Sequence, residues 1–167
     1  MPETFRASLS ILDDFTYVND IMIAFHDVEK MIERAERLVW IMTNQILVST
    51  LPYLVKELER GGEFRLLMPR NYQMSNEMLE LTSHPVFEKA SRCKKLDMRF
   101  LDKVAFFLCV SEKEVGAFAF PNFEGQPDYS GSFRAEGQTA VEWAKGLFMY
   151  CWEKSSDELP QSIVDHC

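Results

Sequence analysis

RLVWIMTNQILVSTLPYLVKELERGGEFRLLMP, running from Arg37 to Pro69, is the stretch whose reading decides the fold. It opens and closes on short apolar runs, LVWIM (Leu38 to Met42) and FRLLM (Phe64 to Met68). The first is continuous rather than alternating, the pattern of a strand buried on both faces of a sheet. Between the runs Leu54, Val55 and Leu58 recur at helical spacing. Ser49 or Thr50 is placed to cap that helix, Pro52 falls in its first turn, where the missing N–H does no harm, and Gly61 stops it. Strand, helix and strand over this length make a βαβ unit with two parallel strands and a right-handed crossover.

Outward from this unit, Asn19 or Asp20 caps a helix expected to run to about Glu36. Its apolar stripe is Phe25, Val28, Met31, Ile32 and Ala35, which covers one face of the sheet. Residues 1–18 read as a lead-in: an amphipathic stretch (Phe5, Leu9, Leu12), a turn at Asp13 and Asp14, and a brief Phe15 to Val18 run. Downstream, residues 70–95 are polar, with short helices expected around Glu77 to Leu81 and Val86 to Ser91 on either side of Pro85. Three strand-like runs follow, Leu96 to Leu101, Val104 to Val110 and Val115 to Phe120. Asp102-Lys103 and Ser111 to Glu114 have the length of hairpin turns, which predicts antiparallel pairs in the second half of the sheet. A loop from Pro121 to Gly131 leads to a last helix, Gln138 to about Lys154, and residues 155–167 lose helical periodicity and read as a frayed tail. The expectation is a single α/β domain over residues 19–154, with an N-terminal parallel βαβ unit, C-terminal antiparallel strands and flanking helices.

The totals narrow the function classes. A chain of 167 residues, 47% hydrophobic and 13% aromatic, buries a core without metals or disulfides. No run approaches the roughly 18 to 20 apolar residues of a membrane span, and MPETFRASLS lacks the basic-then-apolar order of a signal peptide, so no membrane role and a cytoplasmic location are expected. Four cysteines (Cys93, Cys109, Cys151, Cys167) show no C-x-x-C pair and share no ligand spacing with His26, His84 and His166. Free thiols, no metal and no cofactor are the expectation. A net charge of -8 argues against binding of nucleic acid by this chain, since grip on phosphates requires a basic footprint; KASRCKK (Lys89 to Lys95) is the only local basic run.

Catalytic signatures are missing. The turn after LVWIM has no glycines to cradle a phosphate, and there is no G-x-S-x-G elbow. Asp97, Asp102 and Glu112 lie at strand ends and turns, where solvated carboxylates belong.

The βαβ opening followed by LDMRFL, VAFFLCV and EVGAFAF resembles the phospholipase-D-like fold, whose catalytic members use H-x-K-x(4)-D with the histidine as nucleophile. Here His26 is followed by Asp27 and Val28, His84 by Pro85 and Val86, and His166 stands one residue from the end. The resemblance therefore implies the fold without that chemistry, and the chain is expected not to be an enzyme. The closing segment AVEWAKGLFMYCWEKS (Ala140 to Ser155) resembles the end of the effector domain of archaeal winged-helix transcriptional regulators of the methanogenesis-regulator type. Their pattern A-x-x-W-x-x-x-L-F-x-Y-Y is matched by Ala140, Trp143, Leu147, Phe148 and Tyr150, with Cys151 in place of the second tyrosine. Gly125 to Asp128 supply the G-x-x-D loop, and FLCVSEKEVGAFAF (Phe107 to Phe120) the hairpin before it. A more distant likeness is to the effector domain of TrmB-type sugar regulators. Members of these families carry a winged-helix domain ahead of this region, and none is read here, so DNA binding is not carried over.

The resemblance implies a ligand-sensing or oligomerising regulatory domain. Ligands of open α/β sheets bind outside the carboxyl ends of the strands, which nominates Thr43, Asn44 and Gln45 after the first strand of the unit and Arg70 and Asn71 after the second, with Tyr129 and Arg134 closing over them. Trp143, Tyr150 and Trp152 widen the apolar arc of the last helix to about half its circumference, which nominates them for an interface. The partners left open are a small-molecule ligand of unknown identity and a second copy of the chain. The alternatives are an interaction or dimerisation module without a ligand and a phosphodiester hydrolase working without the usual motif.

Overall fold

The computed structural model describes residues 13–158 apart from 74, 77, 78 and 80–82. The helix expected around Glu77 to Leu81 and the amphipathic part of the lead-in lie outside the described residues, as does most of the expected tail. The elements are β1 (Phe15–Val18), α1 (Ile21–Arg34), β2 (Leu38–Met42), α2 (Leu51–Glu59), β3 (Glu63–Pro69), α3 (Pro85–Arg92), β4 (Leu96–Leu101), β5 (Phe107–Ser111), β6 (Glu114–Ala119), β7 (Ser132–Glu136) and α4 (Gln138–Glu153). The seven strands form one mixed sheet in the order β1-β7-β6-β5-β2-β3-β4.

The βαβ unit forms as its sequence predicts. β2 and β3 pair in parallel, from Leu38 opposite Glu63 to Met42 opposite Leu67. Along β2, Val39 and Ile41 point to one face of the sheet and Trp40 and Met42 to the other, and all four are buried. α2 ends in a Schellman motif: Gly61 N donates to Leu58 O and Gly62 N to Glu57 O, with Gly61 at φ +86°. That left-handed turn costs glycine nothing and lets the chain enter β3 at once. α1 begins at the expected cap, where Asp20 Oδ1 accepts from Met22 N at 2.8 Å.

Helices α1, α2 and α3 cover one face, burying Val28, Met31, Ile32, Leu54, Leu58 and Phe87 against β2–β6 and Phe100 of β4. α4 covers the other, where Phe148 and Trp152 lie against Trp40, Leu67 and Leu108. The hairpin between β5 and β6 braces the start of the parallel unit. Glu112, in its turn, accepts backbone N–H bonds from Glu36 (2.8 Å), Leu38 (3.1 Å) and Arg37 (3.4 Å), and the Glu114 carboxylate accepts from Arg34 Nε and Nη2, each at 2.8 Å.

Four sequence expectations need correction. Asp102-Lys103 does not make a hairpin, because β4 pairs in parallel with β3 at the sheet edge and the chain then crosses the ends of β3 and β2 to reach β5. The strand expected from Val104 begins at Phe107, since residues 102–106 are that crossing. Ser132–Glu136, not read as a strand, is β7, and Phe15–Val18, read as part of the lead-in, is the edge strand paired with it. The tail expected after Ser155 starts with a paired residue, Ser156, whose N–H and C=O bond to Phe100.

Candidate ligand-binding site

β2 and β3 run on past their last paired residues by one bond, Thr43 N to Leu67 O at 3.0 Å. Thr43 is 1% exposed, and its side chain folds the chain over: Oγ1 donates to Gln45 O at 2.5 Å and accepts from Gln45 N at 3.1 Å. Tyr129 reaches this turn from the β6–β7 loop. Its hydroxyl donates to Asn44 Oδ1 at 2.6 Å and lies 3.3 Å from Thr43 Oγ1, while its ring packs on Phe107 with centroids 5.3 Å apart. Burial pushes the Tyr129 hydroxyl up to about 12, against the smaller opposing effect of its contact with Thr43. It is a neutral donor at every ordinary pH.

Two spaces adjoin this turn. Behind it lies an apolar pocket of about 30 Å³ among Phe25, Val28, Leu54, Phe107 and Cys109, room for one water-sized molecule. On the far side of Asn44, outside the ends of β2, β3 and β4, opens a polar cleft of about 380 Å³. The cleft is lined by the amide residues Asn44, Asn71, Gln73 and Gln126, the charged residues Asp102 and Lys103, and Tyr72. Arg70 stands beside it, its backbone N–H on Leu101 O at 2.8 Å and its Nε 3.3 Å from Asp102 Oδ1.

The β6–β7 loop reaches the cleft through Gln126 and is braced from within. Asn122 Oδ1 accepts from Glu124 N (2.9 Å) and Gln126 N (3.1 Å), Asn122 N donates to Gln126 O (2.7 Å), and Pro121 and Pro127 pair at its base. Lys103 Nζ donates to Glu124 O at 2.8 Å across the opening. Gly125, at φ +69°, makes this approach feasible, because a Cβ there would stand 2.7 Å from Lys103 Nζ.

Of the nominated ligand residues, Thr43, Asn44, Gln45 and Tyr129 are brought together, Asn71 lines the cleft, and Arg70 is held at its rim by Asp102. Arg134 is not part of it. Its place in β7 opposite Thr16 directs it to the face covered by α1, where Nη1 donates to both Asp27 oxygens at 3.1 Å in a separate charged groove. Sequence reasoning missed Gln73, Lys103 and Gln126; the available signal was the G-x-x-D loop, which contains Gln126, and the turn read at Asp102-Lys103. The nominated interface residues are also redistributed. Trp152, 4% exposed, is used in the chain's own core, and Trp143 is half-buried edge-on against Phe15 and Phe118, leaving Tyr150 as the exposed one at 59%.

No helix among the described residues is long and apolar enough to cross a membrane. Cys93, Cys109 and Cys151 are free, and burial pushes the Cys109 thiol far up.

No protein-family model matches the chain, and no curated protein matches it. Solved structures do. TrmBL2, an archaeal chromatin protein whose structure is described as showing a novel mode of DNA binding, superposes with a TM-score of 0.65 at 19% identity, over 93% of this chain and 63% of that one. The chain thus spans less than two thirds of TrmBL2. Nuc from Salmonella typhimurium, a phospholipase D family member, gives a TM-score of 0.60 at 9% identity over 87% of this chain and 97% of its own. NucT from Helicobacter pylori gives 0.59 at 12% identity over 84% and 98%. The expectation that the chain is not an enzyme is overturned here: its fold is shared over nearly whole chains with a phospholipase D family member, so the missing H-x-K motif does not decide the matter. The fold, a single α/β domain with a mixed sheet, is that of the phospholipase-D-like proteins and of the archaeal protein TrmBL2 alike.

Proposed function

We propose that the chain is a ligand-sensing regulatory domain related to archaeal transcriptional regulators, and that the cleft outside β2, β3 and β4 is its ligand site. The observation that carries this reading is a polar cleft lined by four amide residues and a lysine at the carboxyl ends of three parallel strands. Each carboxamide both donates and accepts, so the group recognises a small polar molecule by several directed bonds. The fold is shared with the archaeal chromatin protein TrmBL2. Thermal-shift screening of small anions, sugars and cofactor fragments tests the reading, followed by NMR titration of hits. A hit should perturb the side-chain amides of Asn44, Asn71 and Gln126 and lose affinity about tenfold in Asn71→Ala, the loss of roughly one directed bond to a ligand. If no compound raises the melting temperature, or hits perturb other regions, the reading is wrong.

The second reading, phosphodiester hydrolysis, draws on the fold of Nuc. Release of nitrophenolate from bis(4-nitrophenyl) phosphate by the wild-type chain, abolished in Lys103→Gln, would replace sensing by turnover.

A further inference from the structure

Resting on the cleft being the ligand site, we infer that its ligand carries an anionic group, that Lys103 is the charge partner of that group, and that binding releases the tip of the β6–β7 loop. The charges of the cleft point this way. Asp102 and Lys103 are the only charged residues lining it among the described residues, and Asp102 already has the Arg70 guanidinium at 3.3 Å. Among the described residues, Lys103 has no carboxylate partner. The hydrogen bond its ammonium makes is to a neutral carbonyl, Glu124 O at 2.8 Å. A carbonyl offers the ammonium only a dipole, whereas an anion adds the attraction of a full opposite charge, so an anion entering the cleft competes with that carbonyl for Lys103.

The loop is built to respond to that exchange. Its tip, residues 122–126, holds its own shape through Asn122 and through the Pro121–Pro127 pairing, so it needs no contact with the body to stay folded. Among the described residues, Tyr129 on Asn44 fastens the loop at its base and Lys103 on Glu124 at its tip. The first is half-buried, packed on Phe107 and set against the turn of Thr43, so it stays; the second faces the cleft and is the one a ligand reaches. Gln126 lines the cleft from the same tip, and Phe123, fully exposed, is carried at its apex. Loss of the Lys103 bond therefore frees the tip to pivot on the Tyr129 anchor while Gln126 turns to the ligand. Occupancy of the cleft is converted into the position of an exposed aromatic ring.

The experiment uses the full chain with 4-fluorophenylalanine at position 123, observed by 19F NMR, and side-chain amide NMR for binding. Acetate and inorganic phosphate are titrated as carboxylate and phosphate probes, and acetamide as the neutral control. Either anion should perturb the Asn44, Asn71 and Gln126 amides and shift the fluorine resonance, with acetamide at least about tenfold weaker, and Lys103→Gln should weaken the anions about tenfold. Which anion binds more tightly identifies the source of the charge. Without any probe, Lys103→Gln should already show the shifted fluorine resonance. Acetamide binding as tightly as the anions, or anion binding indifferent to Lys103→Gln, overturns the charge assignment and leaves the cleft as a ligand site. An unchanged fluorine resonance in Lys103→Gln overturns the latch. No perturbation of the cleft amides by any of the three, together with a blank thermal-shift screen, rejects the ligand site itself.

Discussion

Replacing Tyr129 by phenylalanine removes one hydroxyl from the junction of the loop, the β2 turn and the apolar pocket, and its effect on stability should change sign with pH. At neutral pH the variant loses the bond to Asn44 Oδ1 (2.6 Å) and the contact with Thr43, worth about 1 kcal/mol for a neutral hydrogen bond. The ring and its packing on Phe107 remain. Burial pushes the Tyr129 hydroxyl from 10.0 to about 12 in the folded chain, outweighing the bond with Thr43, which favours ionisation. A group raised in the folded state contributes stability that is complete below its unfolded value and lost as pH rises through the folded one. The window is therefore pH 10 to 12. Half-way, at pH 11, the unfolded chain has released the proton and the folded chain has not, which removes about 1.4 kcal/mol from the wild type. Phenylalanine has no such loss. The wild type should thus be about 1 kcal/mol the more stable at pH 7.5 and should lose that lead, or fall slightly behind, at pH 11. Urea unfolding followed by tryptophan fluorescence at both pH values measures the difference. A gap that is absent at pH 7.5, or that stays constant to pH 11, would refute the burial and bonding assigned to this hydroxyl.

Two further substitutions test how the sheet is held. Glu112→Ala strips three backbone N–H groups at the entry to β2 of their acceptor and should cost about 2 kcal/mol, or roughly 4 to 8 °C in melting temperature. Burial alone would raise the Glu112 carboxyl, but the bonds from Glu36, Leu38 and Arg37 hold it below the ordinary range, so its contribution should be present at neutral pH and vanish as pH falls through that depressed value; calorimetry at pH 7 and pH 3 shows whether the gap closes. Gly62→Ala places a Cβ 2.1 Å from Glu57 Oε1, a buried carboxylate held on its other oxygen by Arg60, and should cost about 1 to 3 kcal/mol by overpacking; equal stability of wild type and variant in urea would show that Glu57 moves freely.

What could be read from the sequence was whatever local chemistry fixes. LVWIM announces a strand with two buried faces, Asp20 a helix start, and Gly61-Gly62 a helix end, and each of these acts within a few residues. Pairing between distant strands leaves a weaker trace. LDMRFL alternates Leu96, Met98 and Phe100 against Asp97 and Arg99, a pattern that suits a half-exposed edge strand of either direction, so the parallel pairing with β3 was not legible. SFRAE is short and its parity is hidden by the loop before it. Without that parity Arg134 looked free to join Tyr129, whereas the register with β1 turns it to Asp27. The same reason divides the candidate site: Thr43 to Gln45 and Asn71 follow from the rule that ligands meet strand carboxyl ends, while Lys103 and Gln126 depend on where two long connections lie.

Those connections are set by the change of direction within the sheet. β2 has a parallel neighbour, β3, on one side and an antiparallel one, β5, on the other. A chain leaving β4 for β5 must pass three strand spacings, about 14 Å, along the carboxyl edge. The five residues available, Asp102 to Phe106, allow about 20 Å from Leu101 to Phe107, so the crossing has little slack and lies close against the strand ends. That fixes Lys103 in front of β2 and β3. Because β6 is antiparallel to β5 and β7 to β6, the β6–β7 loop returns to the same edge and descends on the crossing, which brings Glu124 and Gln126 to Lys103. The parallel half of the sheet therefore supplies one side of the cleft and the antiparallel half the loop that reaches it. The polar residues that line the cleft sit on both, in connections rather than strands, and can change without disturbing a single buried position of β2 or β3.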